Sequence, residues 1–205
     1  ESRRNGCLVI GEDLGTVPDA VRTALGPMGV LSTRLFYFER GWHGAFKPPR
    51  EYPSEAAVAV STHDLPTLSG WWQGVDLMLR AQLNLFPSDE IRQRQIAERS
   101  LDRGRVLSAL EQEGLRPPGV SADPSGVPEM TPDLASAIHA YVARSPAKVM
   151  LIQLEDLLGR PEQANLPGTT EEHPNWRRKL LSDLESWPED ARLIQTAEAL
   201  RRERP

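Results

Sequence analysis

Cysteine is almost missing from this 205-residue chain, with Cys7 the only one. A single thiol makes no intrachain disulfide, so the fold must rest on its core, and a reducing, cytoplasmic setting fits best. Cys7 also sits inside an apolar run, where a thiol is inert rather than nucleophilic. Long hydrophobic runs are missing too. The longest, around Val149–Ile152 and Ala56–Val60, fall far short of the ~20 residues that span a bilayer, and no signal peptide is visible. An excess of one charge is lacking: 24 basic and 29 acidic residues are interspersed, for a net charge of -5. That excludes the strongly basic face of a nucleic-acid binder. The local basic runs at Arg177, Arg178, Lys179 and at Arg201, Arg202, Arg204 read as solvated helix faces. Histidines are few and scattered (His43, His63, His139, His173), without the spacing of a metal site. No glycine-rich phosphate fingerprint follows any apolar run, since Gly11 and Gly15 do not make one, and no internal repeat is visible.

What is present is an ordinary globular composition, 39 % hydrophobic and 26 % charged, in a chain long enough for one real core. Four short apolar runs read as strands: Cys7–Ile10, Leu35–Phe38, Ala57–Val60 and Val149–Ile152. They are continuous rather than alternating, the pattern of strands buried on both faces in a parallel sheet wrapped by helices. Thr16-Val17-Pro18-Asp19 opens a helix that Gly26-Pro27 stops, which makes one strand–helix–strand unit. A long excursion, about residues 68–146, separates the third and fourth runs. Its middle, Ser88 to Glu113, is helical by pattern; Arg116 to Pro132 reads as loop; and Thr131 or Asp133 caps a further helix over Leu134 to Arg144. The tail, about 176–204, reads as two helices broken at Trp187-Pro188-Glu189.

Polar and acidic clusters close three of the four runs. In Gly11-Glu12-Asp13-Leu14-Gly15 two adjacent carboxylates point to different sides, so one of them faces a pocket. Ser61-Thr62-His63-Asp64-Leu65-Pro66-Thr67 offers a His-Asp pair, suited to acid/base work, to hydrogen bonding of a substrate, or simply to holding a loop. Glu155-Asp156 reads as the cap of the following turn, and Trp71-Trp72 as core. Acids at the C-terminal ends of parallel strands suit a barrel of alternating strands and helices, and suit an open doubly wound sheet equally well.

Taken together, the motifs resemble one family. Val9-Ile10-Gly11-Glu12-Asp13-Leu14-Gly15-Thr16-Val17-Pro18 is similar to the amylomaltase (4-α-glucanotransferase) segment that holds the acid/base glutamate. Ser61–Thr67 is similar to the segment holding a further essential carboxylate. Gln163–Thr169, with His173-Pro174-Asn175-Trp176-Arg177-Arg178-Lys179, resembles the loop and helix after the last barrel strand. The resemblance implies α/β architecture, the C-terminal half of a (β/α)8 TIM barrel with a helical insertion between the third and fourth strands of this chain. It also implies a retaining transfer of α-1,4-glucan segments between maltodextrins, with Glu12 as proton donor, held protonated by its surroundings, and Asp64 gripping the reacting sugar. His63, Asn165, Pro167 and Gly168 would contact substrate, and no cofactor or metal is called for.

The family's nucleophile lies in an Arg-x-Asp-His motif that this sequence lacks, and the chain opens on Glu1 as if cut from something longer. The resemblance therefore implies an upstream half of the same barrel, inactivity of this piece alone, and two unpaired strand edges. The alternative expectation is a non-catalytic half barrel that binds glucan.

Overall fold

A computed structural model describes residues 1–180 and 182–204. A four-residue helix α1 (Ser2–Asn5) precedes β1 (Ile10–Gly11), α2 (Asp19–Leu25), β2 (Leu31–Leu35) and β3 (Ala56–Ala59). Four helices follow: α3 (Leu68–Gln73), α4 (Val75–Gln82), α5 (Asp89–Gln112) and α6 (Pro132–Ala143). Then come β4 (Val149–Met150), the short α7 (Leu154–Leu157) and α8 (Ala191–Glu203). The strands form one parallel sheet in the order β1-β2-β3-β4, with Ile10 opposite Leu31, Ser32 opposite Ala56 and Ala57 opposite Val149. Every strand therefore ends on the same edge of the sheet. The α/β architecture with a parallel sheet is as expected.

β3 is the centre of this arrangement: all four of its residues are buried. The core beside it joins Phe36, Phe46, Val58, Trp72, Leu110 and Ile138. Trp71 and Trp72 are core residues, and the Trp72 indole N–H is satisfied by the Val127 carbonyl at 2.9 Å. Arg99 forms a twofold contact with Asp76 (2.7 and 2.8 Å) while donating to the Trp71 carbonyl, so this charge is paired as it leaves water. α8 packs on α6, and Arg144 closes their ends through both oxygens of Glu203 (2.7 and 3.1 Å).

The structure moves several sequence boundaries. The strand expected at Leu35–Phe38 lies at Leu31–Leu35. Phe36 still donates its N–H to the Ala59 carbonyl, but the amides of Phe38 and Glu39 both turn back to Leu35. The apolar run there marks aromatic burial rather than extended backbone. The true strand is polar in its middle because Ser32, Thr33 and Arg34 bond to neighbouring segments. Only Ile10 of the run Cys7–Ile10 pairs within β1, and β4 keeps only Val149 and Met150. α2 begins at Asp19 with Pro18 at its N-cap and no side-chain cap from Thr16.

Among the described residues the first of the two tail helices is absent, 176–180 being non-helical. Trp176 takes a left-handed conformation (φ 60) that no continuing helix allows. The chain then forms a 3-10 turn over Leu184–Glu189 before Asp190 caps α8; Leu181 lies outside the described residues. Each outer strand is paired on one side only among the described residues, and Leu8, Val9, Ile10 and Leu151 lie exposed beside these edges.

Candidate active site

The edge where the parallel strands end carries both acidic motifs. At the end of β1 the two neighbouring carboxylates part company. Asp13 is buried and works as a clasp: one oxygen accepts the Thr33 N–H (2.8 Å), and the other takes Arg22 Nε (2.9 Å) and Arg34 (3.1 Å). Burial pushes this carboxyl up, but the Thr33 amide and the two guanidinium groups outweigh it and hold the group below the usual range. Glu12 is exposed, and no hydrogen bond or ion pair engages its carboxylate among the described residues. Asp13 thus fixes the strand end and leaves Glu12 available.

Two strands away, about 10 Å across the sheet from two interstrand spacings, the segment after β3 carries His63 and Asp64. Both side chains are half exposed. His63 Nε2 lies 3.5 Å from Asp64 Oδ1, and the same oxygen accepts the Asn165 side-chain amide at 2.6 Å. The Asn165 N–H donates to the His63 carbonyl at 3.2 Å, so backbone and side chain join the two loops. Pro167 and Gly168 occupy the middle of a turn that the Thr169 N–H closes on the Leu166 carbonyl (3.2 Å). Proline then glycine, with Gly168 at φ 86, is the pairing a type II turn requires. The structure therefore brings His63, Asp64 and Asn165 into contact, places Glu12 on the same edge, and sets Pro167 and Gly168 at the exposed tip of the Asn165 loop.

The Ser61–Leu68 loop is held rigidly from β4's side. Ser61 donates to the Gln153 side chain, Thr67 donates to the Arg160 carbonyl at 2.5 Å, and the Leu68 N–H donates to Asp156 Oδ1 at 2.6 Å. Thr67 also caps α3 by accepting the Gly70 N–H at 3.1 Å. Gly70 is required by proximity: a Cβ there would stand 2.2 Å from the Pro161 carbonyl oxygen.

The chain as a whole has relatives among known proteins. A family model described as 4-alpha-glucanotransferase matches residues 1–184. The chain belongs to the 4-alpha-glucanotransferase family. It is 38 % identical over 184 residues to the 4-alpha-glucanotransferase of Haemophilus influenzae, covering 90 % of this chain and 26 % of that protein. It is 33 % identical over 211 residues to the 4-alpha-glucanotransferase of Mycobacterium tuberculosis, covering 98 % of this chain and 28 % of that one. The crystal structure of amylomaltase from Corynebacterium glutamicum superposes with a TM-score of 0.84 at 28 % identity, over 97 % of this chain and 29 % of that structure. An amylomaltase from Streptococcus agalactiae, in complex with acarbose, shares the fold at a TM-score of 0.58 and 18 % identity, over 97 % of this chain and 32 % of that one. The chain thus spans little more than a quarter of the length of the curated relatives it matches.

In this 4-alpha-glucanotransferase-family chain, Asp156 and Trp176 lie beside the candidate site in roles that the sequence reading, as a turn cap and as the start of a tail helix, did not assign. Asp156 reads as the cap of its own turn, yet it caps the start of α3, a segment 88 residues earlier in the chain. Its burial pushes the carboxyl up to about 7 against the pull of the Leu68 amide, with Glu155 adding to the rise. Trp176 carries its ring to the His63 imidazole, centroid to centroid 5.0 Å. The available signal was chemical rather than periodic: a tryptophan flanked by Asn175 and Arg177, in a stretch with no apolar stripe to bury it.

Proposed function

We propose that this chain is the acid/base-bearing part of a retaining 4-alpha-glucanotransferase that moves α-1,4-glucan segments between maltodextrins. The observation that carries the reading is the placement of Glu12 and Asp64 on one edge of a parallel sheet, within a chain of this family. The sheet is half of a (β/α)8 barrel, and its one-sided outer strands are where the other strands pair. The ~250 residues of a complete barrel and the relatives' greater length support that. α3 to α6 are the helical insertion between the third and fourth strands of this chain.

Glu12 gives its proton to the glycosidic oxygen as the C1–O bond breaks, while a carboxylate supplied by the rest of the barrel attacks C1. The acceptor's 4-OH then returns its proton to Glu12 as it displaces that carboxylate, so acid and base are one group used twice. A retaining pair of this kind stands about 5–5.5 Å apart. Asp64 accepts hydroxyls of the reacting sugar and favours its flattened, oxocarbenium-like form, with His63 alongside. Asn165, already bonded to the Asp64 carboxylate, orients it; Pro167 and Gly168 line the donor side of the groove. No cofactor or metal takes part in this scheme. The nucleophile motif is outside this sequence, so the 205 residues alone are inactive.

Incubation of the full-length gene product with maltotriose is expected to yield glucose together with longer maltodextrins. Glucose and maltose alone, the products of hydrolysis, would contradict transfer. Binding of maltodextrin with no turnover would favour the non-catalytic glucan-binding half barrel.

A further inference from the structure

Beside the His63–Asp64–Asn165 cluster lies a groove of about 220 Å³ that the scheme above does not use. Its walls include His63, Trp176, Arg178, Lys179, Glu155 and Arg160. At less than the roughly 300 Å³ of a small drug-sized site, it admits a single ring rather than a whole chain. Trp176 is 63 % exposed and lines this groove.

Trp176 is also conformationally expensive. Its φ of 60 lies in the left-handed region, where a bulky side chain is strained and glycine or asparagine would sit at less cost. The surroundings hold it there. Its N–H donates to the Ala164 carbonyl (3.0 Å), and Asn175 just before it bridges Leu166 and Thr169. Below, His173 contacts the Gln163 carbonyl at 3.3 Å. The loop therefore spends strain to present an aromatic face to water, tilted 52° against the ring of His63. Strain held in place by over-determined packing is a mark of function.

We propose that Trp176 is the stacking platform of a further saccharide subsite, adjoining the sugar position served by His63, Asp64 and Asn165. The occupant is a glucosyl unit of an α-1,4-glucan chain, so the inference rests on the glucanotransferase reading. A pyranose has an apolar C–H face and a rim of hydroxyls. The indole packs on the face, and Arg178, Lys179 and Glu155 meet the rim, an amphipathic match between aromatic body and polar edge. Arg178 and Lys179 of the basic run thereby become part of a binding wall instead of a solvated helix face.

The test is calorimetric titration of maltoheptaose into the full-length gene product carrying Glu12→Gln, which keeps the ligand intact. Trp176→Asn in that background is expected to weaken binding roughly ten-fold, the loss of one good aromatic contact, and Trp176→Phe only about three-fold. The Asn variant is expected to keep or raise Tm, because asparagine tolerates the left-handed backbone; this separates lost stacking from lost folding. Unchanged maltoheptaose affinity in the Asn variant overturns the subsite, and if the unmutated protein still converts maltotriose, the family reading stands without it. A parent protein that neither binds maltoheptaose nor converts maltotriose overturns both.

Discussion

Single residues divide the labour on this edge. Asp13 and Asp156 are buried carboxylates that hold the two acidic loops in place, and Glu12 and Asp64 are the exposed ones, which the proposed scheme turns to substrate. Asp156 has an ordinary value of 3.8 and a folded-state value of about 7. A raised folded value means that the stability it supports is complete below about 3.8 and is lost as pH climbs through about 7, because the unfolded chain releases the proton first. Asp156→Asn keeps an oxygen for the Leu68 N–H and removes the titration. The Tm difference between variant and parent, near zero at pH 4, is therefore expected to turn in the variant's favour by pH 7.5. A difference that stays flat across that range would contradict the assignment. Buried His139, pushed down to about 4, loses support in the opposite direction as pH falls, and taking the difference cancels it. Asn165→Ala removes the amide at Asp64 and is expected to reduce maltotriose turnover at least about ten-fold, consistent with one charge-assisted hydrogen bond. Steady-state kinetics of the full-length protein checks it.

At the scale of elements, α3 and the loop before it are the scaffold on which Asp64 depends. Thr67→Ala removes the cap of α3 and the bond to Arg160, and is expected to lower stability by about 1–2 kcal/mol, with Thr67→Ser restoring most of it. Gly70→Ala forces α3 away from Pro161 and is expected to cost about 1–3 kcal/mol, read as a drop in Tm; full stability in that variant would mean the close approach is not obligatory. Elements governed by local chemistry were legible from sequence. α5 runs from Asp89 to Gln112 with Ser88 accepting the Ile91 N–H, and α6 takes Thr131 as its cap, because a cap is a property of neighbouring residues; only the C-terminal turns of α5 are buried, and Ile96 and Leu101 stay exposed. β2 was displaced because its middle is polar, and those polar groups answer to Asp13 and Glu55, partners 20 or more residues away. The missing tail helix has the same origin, since the backbone bond from Trp176 to Ala164 is a tertiary contact. The candidate site followed this division. Glu12, His63, Asp64 and Asn165 stood in recognisable motifs, and so did Trp176, but the contact of Trp176 with His63 and that of Asp156 with Leu68 are set by the fold.

For the whole molecule, the outer strands are the telling feature. β1 and β4 each leave one side of their backbone unpaired among the described residues, with Leu8, Val9, Ile10 and Leu151 exposed nearby. Such edges template association with other chains. The isolated 205 residues are expected to self-associate at micromolar concentration and to leave maltotriose untouched, whereas the full-length gene product stays dispersed and turns it over. Light scattering and product chromatography on the same samples decide the point, and a monodisperse, active 205-residue protein would contradict the half-barrel reading.

The most direct measurement of the central claim, that Glu12 delivers the proton, compares two donors in the full-length Glu12→Gln protein. Maltotriose needs its leaving oxygen protonated; α-maltosyl fluoride, with a leaving group that departs unaided, does not. The expected result is loss of maltotriose turnover by at least about a thousand-fold, in the range of general acid catalysis, while fluoride is still released from the activated donor. Maltotriose turnover within about ten-fold of the parent, or equal loss on both donors, would contradict it.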